Sequence, residues 1–219
     1  HALASWTYNA AIINGFYEDD ELASYLARAK LHLKRARELA QDDLLCLTWI
    51  GAAENCAGMQ ERALHTLQSV LARNPASVET WFIVCQVYAY LGRYDEAIAA
   101  IDRACELAPE AGFAPQHGWY RGLALFLAGD YQTAAPLLAR KALETPDFGY
   151  VHILCALCED AFGHNDAAHK YIVRSKEHNP QLRPDKVAGM LLTQADRDKG
   201  AREYAALERL WSATAAVPG

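Results

Sequence analysis

Cys155 and Cys158 stand three residues apart in the run CALC, a spacing that elsewhere holds a metal ion or shuttles electrons. Here both fall in the middle of an apolar stretch with helical spacing. A thiolate that reacts or ligates needs a helix N-terminus or a cation beside it. This run offers neither, so the two cysteines read as small core residues. His164, His169 and His178 lie close in sequence, but no H-E-x-x-H or equivalent ligand spacing joins them. The run ADRDKG (195–200) alternates aspartates without the downstream glutamate of a calcium loop, and reads as a solvated turn. Glu159 and Asp160 precede a glycine turn. They could act as an acid–base pair only inside a closed pocket, and otherwise are charges on a helix surface. No Walker loop, G-x-S-x-G or S-x-x-K motif occurs. The chain is accordingly not read as an enzyme, and no catalytic residue, metal or cofactor is assigned to it. Catalysis is the remotest of the readings.

With chemistry so thin, the elements themselves must carry the function. The 219 residues suffice for one large domain or a short repeat array. Hydrophobic residues at 52% and charged residues at 22% mark a globular chain, and much of the apolar share is alanine and leucine, which favours helix. The net charge of −6 is the opposite of a general nucleic-acid binder. The one basic stretch, ARAKLHLKRAR (27–37), reads as a solvated helix face. The start HALASWTY has neither the basic nor the apolar region of a secretory signal, and the longest apolar run, 81–91, is too short to span a bilayer. The six cysteines sit inside apolar helical stretches and not at disulfide-framework spacings. Reduced, unpaired thiols, a cytoplasmic setting and no membrane are expected.

The organising signal is a repeat. Gly58, Gly92, Gly129 and Gly163 recur at intervals of 34, 37 and 34 residues. Five residues after each stands Ala63, Ala97, Ala134 or Ala168, and seventeen after each stands Pro75, Pro109, Pro146 or Pro180. Three residue types keep one phase through four copies. Helical spacing on both sides of each glycine predicts a helix–turn–helix unit, with glycine in a left-handed helix end. The alanine lets the two helices approach, and the proline ends the second one. Each hairpin leaves an apolar face that only a stacked neighbour can bury.

This unit resembles the tetratricopeptide repeat, a helical hairpin of 34 residues. The copy at 78–111 matches best, with Trp81, Tyr88, Gly92, Tyr94, Ala97, Ala104 and Pro109 at the signature places. The copy at 44–77 keeps Ile50, Gly51, Gly58, Ala63, Leu67 and Pro75; that at 115–148 keeps Gly122, Gly129, Tyr131, Ala134, Leu138 and Pro146; that at 149–182 keeps Ala156, Gly163, Ala168, Ile172 and Pro180. Cys85 and Lys141 depart from the pattern, which has small residues at their places. The run PEAGFAPQHG (109–118) reads as a longer loop before the third copy. The resemblance implies an all-α, right-handed superhelical array of antiparallel helix hairpins, one domain over residues 1–219.

The two ends complete the array. Residues 1–43 read as a degenerate first repeat: a helix, an acidic loop with Asp19 or Asp20 as cap and Glu21 in the first turn, then a longer helix. This segment resembles the repeat region of bacterial OmpR-type winged-helix regulators and class III adenylate cyclases. With no initiating methionine, the chain reads as a piece of a longer protein, with a trimmed stand-alone protein as the alternative. Residues 183–219 read as a helical cap, with helices near 184–196 and 199–213. Leu191, Leu192, Tyr204, Leu207, Leu210 and Trp211 would cover the last repeat, and Trp211 is expected to be substantially buried.

In such arrays the first helix of each hairpin lines the concave side. The inward places are Thr48, Ala52 and Asn55, then Phe82, Gln86 and Tyr90, then Trp119, Leu123 and Phe126, then Tyr150 and Leu157. Family members that grip an acidic C-terminal tail carry basic residues at some of these places. Here Thr48, Ala52, Phe82, Gln86, Trp119 and Leu123 occupy them, which disfavours that mode. Either the row is packed between repeats and under the tail, or Phe82, Tyr90, Trp119, Phe126 and Tyr150 form an apolar strip rimmed by amides. Such a strip suits a hydrophobic peptide or helix. The expected function is protein recognition, regulatory or scaffolding, with a protein or peptide partner; self-association is a further option, and no nucleic acid is expected to bind. The alternative is a ligand-sensing regulatory domain of a bacterial signalling protein.

Overall fold

The computed structural model describes residues 1–13, 17–18, 20–40, 42–109, 114–192 and 195–214, leaving aside the side chains of 13, 114–115, 189–190 and 192. Asp19 as a cap, most of the loop before the third copy and the covering role of Leu192 lie outside the described residues. Among the described residues there are twelve helices and no strand: α1 Ala2–Ile13, α2 Leu22–Ala40, α3 Leu44–Cys56, α4 Gln60–Arg73, α5 Val78–Tyr90, α6 Tyr94–Leu107, α7 Ala114–Ala128, α8 Tyr131–Glu144, α9 Gly149–Ala161, α10 Asn165–His178, α11 Pro184–Leu192 and α12 Arg197–Ala213. Each odd-numbered helix pairs with the one after it, and successive pairs stack, as in the tetratricopeptide solenoid. The fold is the expected all-α array of antiparallel hairpins.

The local chemistry explains each boundary. Gly92 has φ of 75°, a left-handed value that a Cβ would strain. Its N–H donates to the Ala89 carbonyl at 3.1 Å, and the Arg93 N–H donates to the Tyr88 carbonyl at 2.9 Å. These are the two bonds of a Schellman end, and the same pair closes α3, α7 and α9. At the other end of the unit, each second helix stops two residues short of its proline. The residue between is forced out of the helical region by the proline ring: Asn74, Ala108, Thr145 and Asn179 all have φ between −136° and −140°. Close helix approach follows from small residues. Ala63, Ala97, Ala134 and Ala168 are fully buried, and a Cβ on Gly51 would stand 2.5 Å from Leu67 Cγ.

One apolar core runs from Ala52 to Leu210 through the stacked hairpins, and a smaller cluster joins α1 and α2 to α3. Details differ from expectation, among them the tail helices, which run Pro184–Leu192 and Arg197–Ala213 and not 184–196 and 199–213. Helix α2 begins at Leu22, so Glu21 stands just outside it, and its carboxylate accepts from the Glu18 N–H at 2.9 Å. In the tail, Asp196 accepts from the Lys199 N–H at 2.9 Å and caps α12, so ADRDKG contains a helix start and not only a turn.

Candidate functional site

The residues with chemical potential are held apart. Cys85, Cys155 and Cys158 are buried, and all six cysteines are free thiols. Burial pushes the thiols of Cys56, Cys85 and Cys158 up to about 12, and that of Cys155 up as well. Glu159 and Asp160 engage different partners: Glu159 meets His164 Nδ1 at 2.8 Å, while Asp160 accepts two bonds from Arg209 Nη2, each 2.8 Å. His178 lies 3.2 Å from Asp147. Among the described residues no three His, Cys, Asp or Glu side chains converge as a metal site would need.

The inward row is the remaining candidate, and the structure places most of it under cover. Thr48, Ala52, Asn55, Phe82, Leu123, Phe126, Tyr150 and Leu157 are buried; Gln86, Tyr90 and Trp119 are partly exposed. Successive first helices are stitched together along the row. The Thr48 and Thr80 hydroxyls lie 2.9 Å apart, and Asn55 Nδ2 donates to Gln86 Oε1 at 3.1 Å. Phe82 stacks on Tyr120 with ring centroids 5.1 Å apart. Trp119 meets Phe148 edge-on at 5.0 Å and Tyr150 at 6.1 Å. Burial holds the Tyr90 and Tyr150 phenols, which lie beside each other, well above their usual range. The three partly exposed members thus gather round Tyr150: Trp119 against its ring, Tyr90 beside it, and Gln86 one turn before Tyr90 on α5.

Part of the row, at Phe126, lies under the chain's own tail. Helix α12 packs on α9 and α10. Its Lys199 ammonium sits 4.8 Å from the Phe126 ring centre and 5.6 Å from that of Tyr131. Lys199 Nζ donates to Glu203 Oε1 at 2.6 Å, and the Tyr131 hydroxyl donates to the same oxygen at 2.8 Å. Val187, Leu191, Leu207 and Leu210 are buried in the shared core. Trp211 is only partly buried; the Lys176 ammonium covers its ring at 4.7 Å and donates to its carbonyl at 2.9 Å. The sequence reading missed Lys199, Glu203 and Tyr131 as members of this surface. Lys199 and Glu203 are four residues apart on α12, which is also the spacing of an ordinary solvent-exposed ion pair, so no sequence signal distinguishes them.

The segment 78–111 matches the family model described as the tetratricopeptide repeat. It is the copy whose signature residues are most complete. No curated protein matches the chain. Among solved structures, TTC0263, a thermophilic TPR protein in Thermus thermophilus, is similar over 91% of this chain and 99% of its own, with 18% identity and a TM-score of 0.61. MamA 41-end from Desulfovibrio magneticus RS-1 is similar over 78% of this chain and 97% of its own, at 18% identity and TM-score 0.53. YrrB, a TPR protein with an unusual peptide-binding site, is similar over 82% of this chain and 92% of its own, at 17% identity and TM-score 0.50. At these identities the likeness is one of fold.

Proposed function

We propose that this chain is a protein-recognition module, regulatory or scaffolding, that takes an apolar peptide or amphipathic helix on the concave side of its hairpin stack. The observation that carries this reading is that one member of the inward row, Phe126, already lies against a helix: Lys199 of α12 sits over its ring, and Glu203 of the same helix accepts from Tyr131 next to it. A surface shaped to hold one amphipathic helix suits another. Trp119, Tyr90 and Gln86 are the contact points open to a partner, with Thr48, Asn55, Phe82, Leu123, Phe126 and Tyr150 as the packed floor beneath them. Trp119 is the anchor, because a large aromatic gives contact area at low entropy cost. The peptide-binding site of YrrB, a protein of similar fold, is in keeping with this. The likeness of the first forty residues to the repeat region of bacterial signalling proteins favours a regulatory setting inside the cell.

The test begins with a partner captured on this chain and then titrated into wild type and Trp119→Ala. The expected result is a loss of about 2 kcal/mol or more of binding free energy with the helical circular-dichroism spectrum retained. Equal affinities would remove the concave row as the binding surface.

A further inference from the structure

The third hairpin departs from its siblings at three places that face one another. At the fourth position of the unit, Leu47, Trp81 and His152 fill space in the other copies, whereas the third copy has Gly118. At the seventh, Ile50, Val84 and Cys155 are buried, whereas the third copy has Arg121. At the twenty-seventh, Val70, Ala104 and Ser175 are buried, whereas the third copy has Lys141. The first change empties the place of a large side chain, and a Cβ built on Gly118 meets nothing within 4 Å. The other two bring cations to the space left behind.

The result is a cleft of about 200 Å³ between α7 and α8, lined by His117, Gly118, Arg121, Arg140, Lys141 and Glu144 among others. Its charges do not balance. Arg121 is ion-paired with Asp102 on α6, and Arg140 Nε donates to Glu144 Oε1 at 3.0 Å. Lys141 has no carboxylate partner among the described residues, so three cations meet two carboxylates around a partly enclosed space. A partly enclosed cation without a counter-charge favours capture of an anion, and guanidinium groups beside it match the geometry of a tetrahedral oxyanion.

We propose that this cleft is a phosphate-binding site, in which Lys141 and Arg121 hold the oxyanion and Gly118 leaves it room. The two key substitutions that test it return the hairpin to the residue types of its siblings, so both are compatible with the fold. Inorganic phosphate is titrated against the full chain and followed by the ³¹P resonance, with Lys141→Ala and Gly118→Trp measured alongside and their folding checked by thermal melts. Saturable binding to wild type, weakened about tenfold or more in each variant, is the expected result, since Lys141→Ala removes a charge-assisted bond and Gly118→Trp fills the space the anion needs. Absence of saturation in wild type, or equal binding by folded variants, overturns the site. O-phosphoserine serves as a second probe. Tighter binding than inorganic phosphate supports the site with a phosphorylated side chain as its source, and equal binding supports it with free phosphate.

Discussion

Lys199 and Glu203 form a buried ion pair 2.6 Å long, 9% and 7% exposed at their side chains, inside the seam between the C-terminal helix and the stacked hairpins. Tyr131, on α8, donates to the same carboxylate. The tail is therefore keyed to the array by charge and by a hydroxyl, and not by greasy contact alone.

Removing one partner should reveal this. Glu203→Ala leaves the Lys199 ammonium buried beside Phe126 and deprives the Tyr131 hydroxyl of its acceptor. The expected cost is about 3 kcal/mol in urea denaturation. A double variant, Lys199→Met with Glu203→Leu, should recover part of that loss, because the charge and its counter-charge leave together while the Tyr131 hydroxyl still lacks its acceptor. A single variant costing less than about 1 kcal/mol would contradict the buried placement of the pair.

The thiols offer a second check. Because burial disfavours the thiolate, Cys85 and Cys158 are pushed up to about 12 and Cys155 is pushed up too. In native protein at pH 8 these three should resist a thiol reagent that labels the partly exposed Cys46 and Cys105. Full labelling should require denaturant. Rapid native labelling of Cys155 or Cys158, located by peptide mass mapping, would show the CALC run to be accessible.

Acid should weaken the fold through His152. Burial lowers its basicity, and the charge of neighbouring His178 adds to that effect; Nε2 lies 2.9 Å from the Pro146 carbonyl, which makes it the protonated nitrogen. Because its folded pKa lies below the unfolded value, the unfolded chain takes up the proton first. This contribution vanishes above about pH 6.5 and destabilises by up to about 1.4 kcal/mol per pH unit below it. Stability measured from pH 7.5 to 5.5 should fall more steeply in wild type than in His152→Phe. Parallel curves would exclude His152 as the source.

Cutting the chain after Arg183 should expose apolar surface on the order of several hundred Å², since Val187, Leu191, Leu207 and Leu210 all leave the shared core. Light scattering should then report association or precipitation. A truncated chain that stays monomeric with an unchanged melting temperature would mean that the tail covers nothing of consequence.

The hairpins are readable in the sequence because their boundaries are set by local sterics. A left-handed helix end asks for glycine, as at Gly92, and a proline drives the preceding residue out of the helix, as at Asn74 and Thr145. These requirements act within a few residues and leave a periodic trace. The inward places are readable from the same phase, but their exposure is not. Phe126 is covered by a segment that follows it by dozens of residues, and nothing local in Lys199 or Glu203 states that they turn inward. Lys141 is visible as a departure. Its meaning emerges only when Gly118 and Arg121 are found opposite it.

Gln181 Nε2 donates to Glu18 Oε1 at 2.7 Å, Lys186 Nζ donates to the Tyr17 carbonyl at 2.6 Å, and α1 packs on α11. The first hairpin therefore grips the last. An open stack of repeats unravels from whichever end is weaker, like a zip, and its stability is a sum over neighbours. Here the ends fasten each other and the stack behaves as a hoop. Neither end can loosen without breaking the same clasp, so melting should be one concerted event and not a progressive fraying. The clasp joins residues 163 and 169 positions apart, so it closes only after a long loop has been gathered in. Refolding should be slower than that of a helical stack wired through neighbours alone.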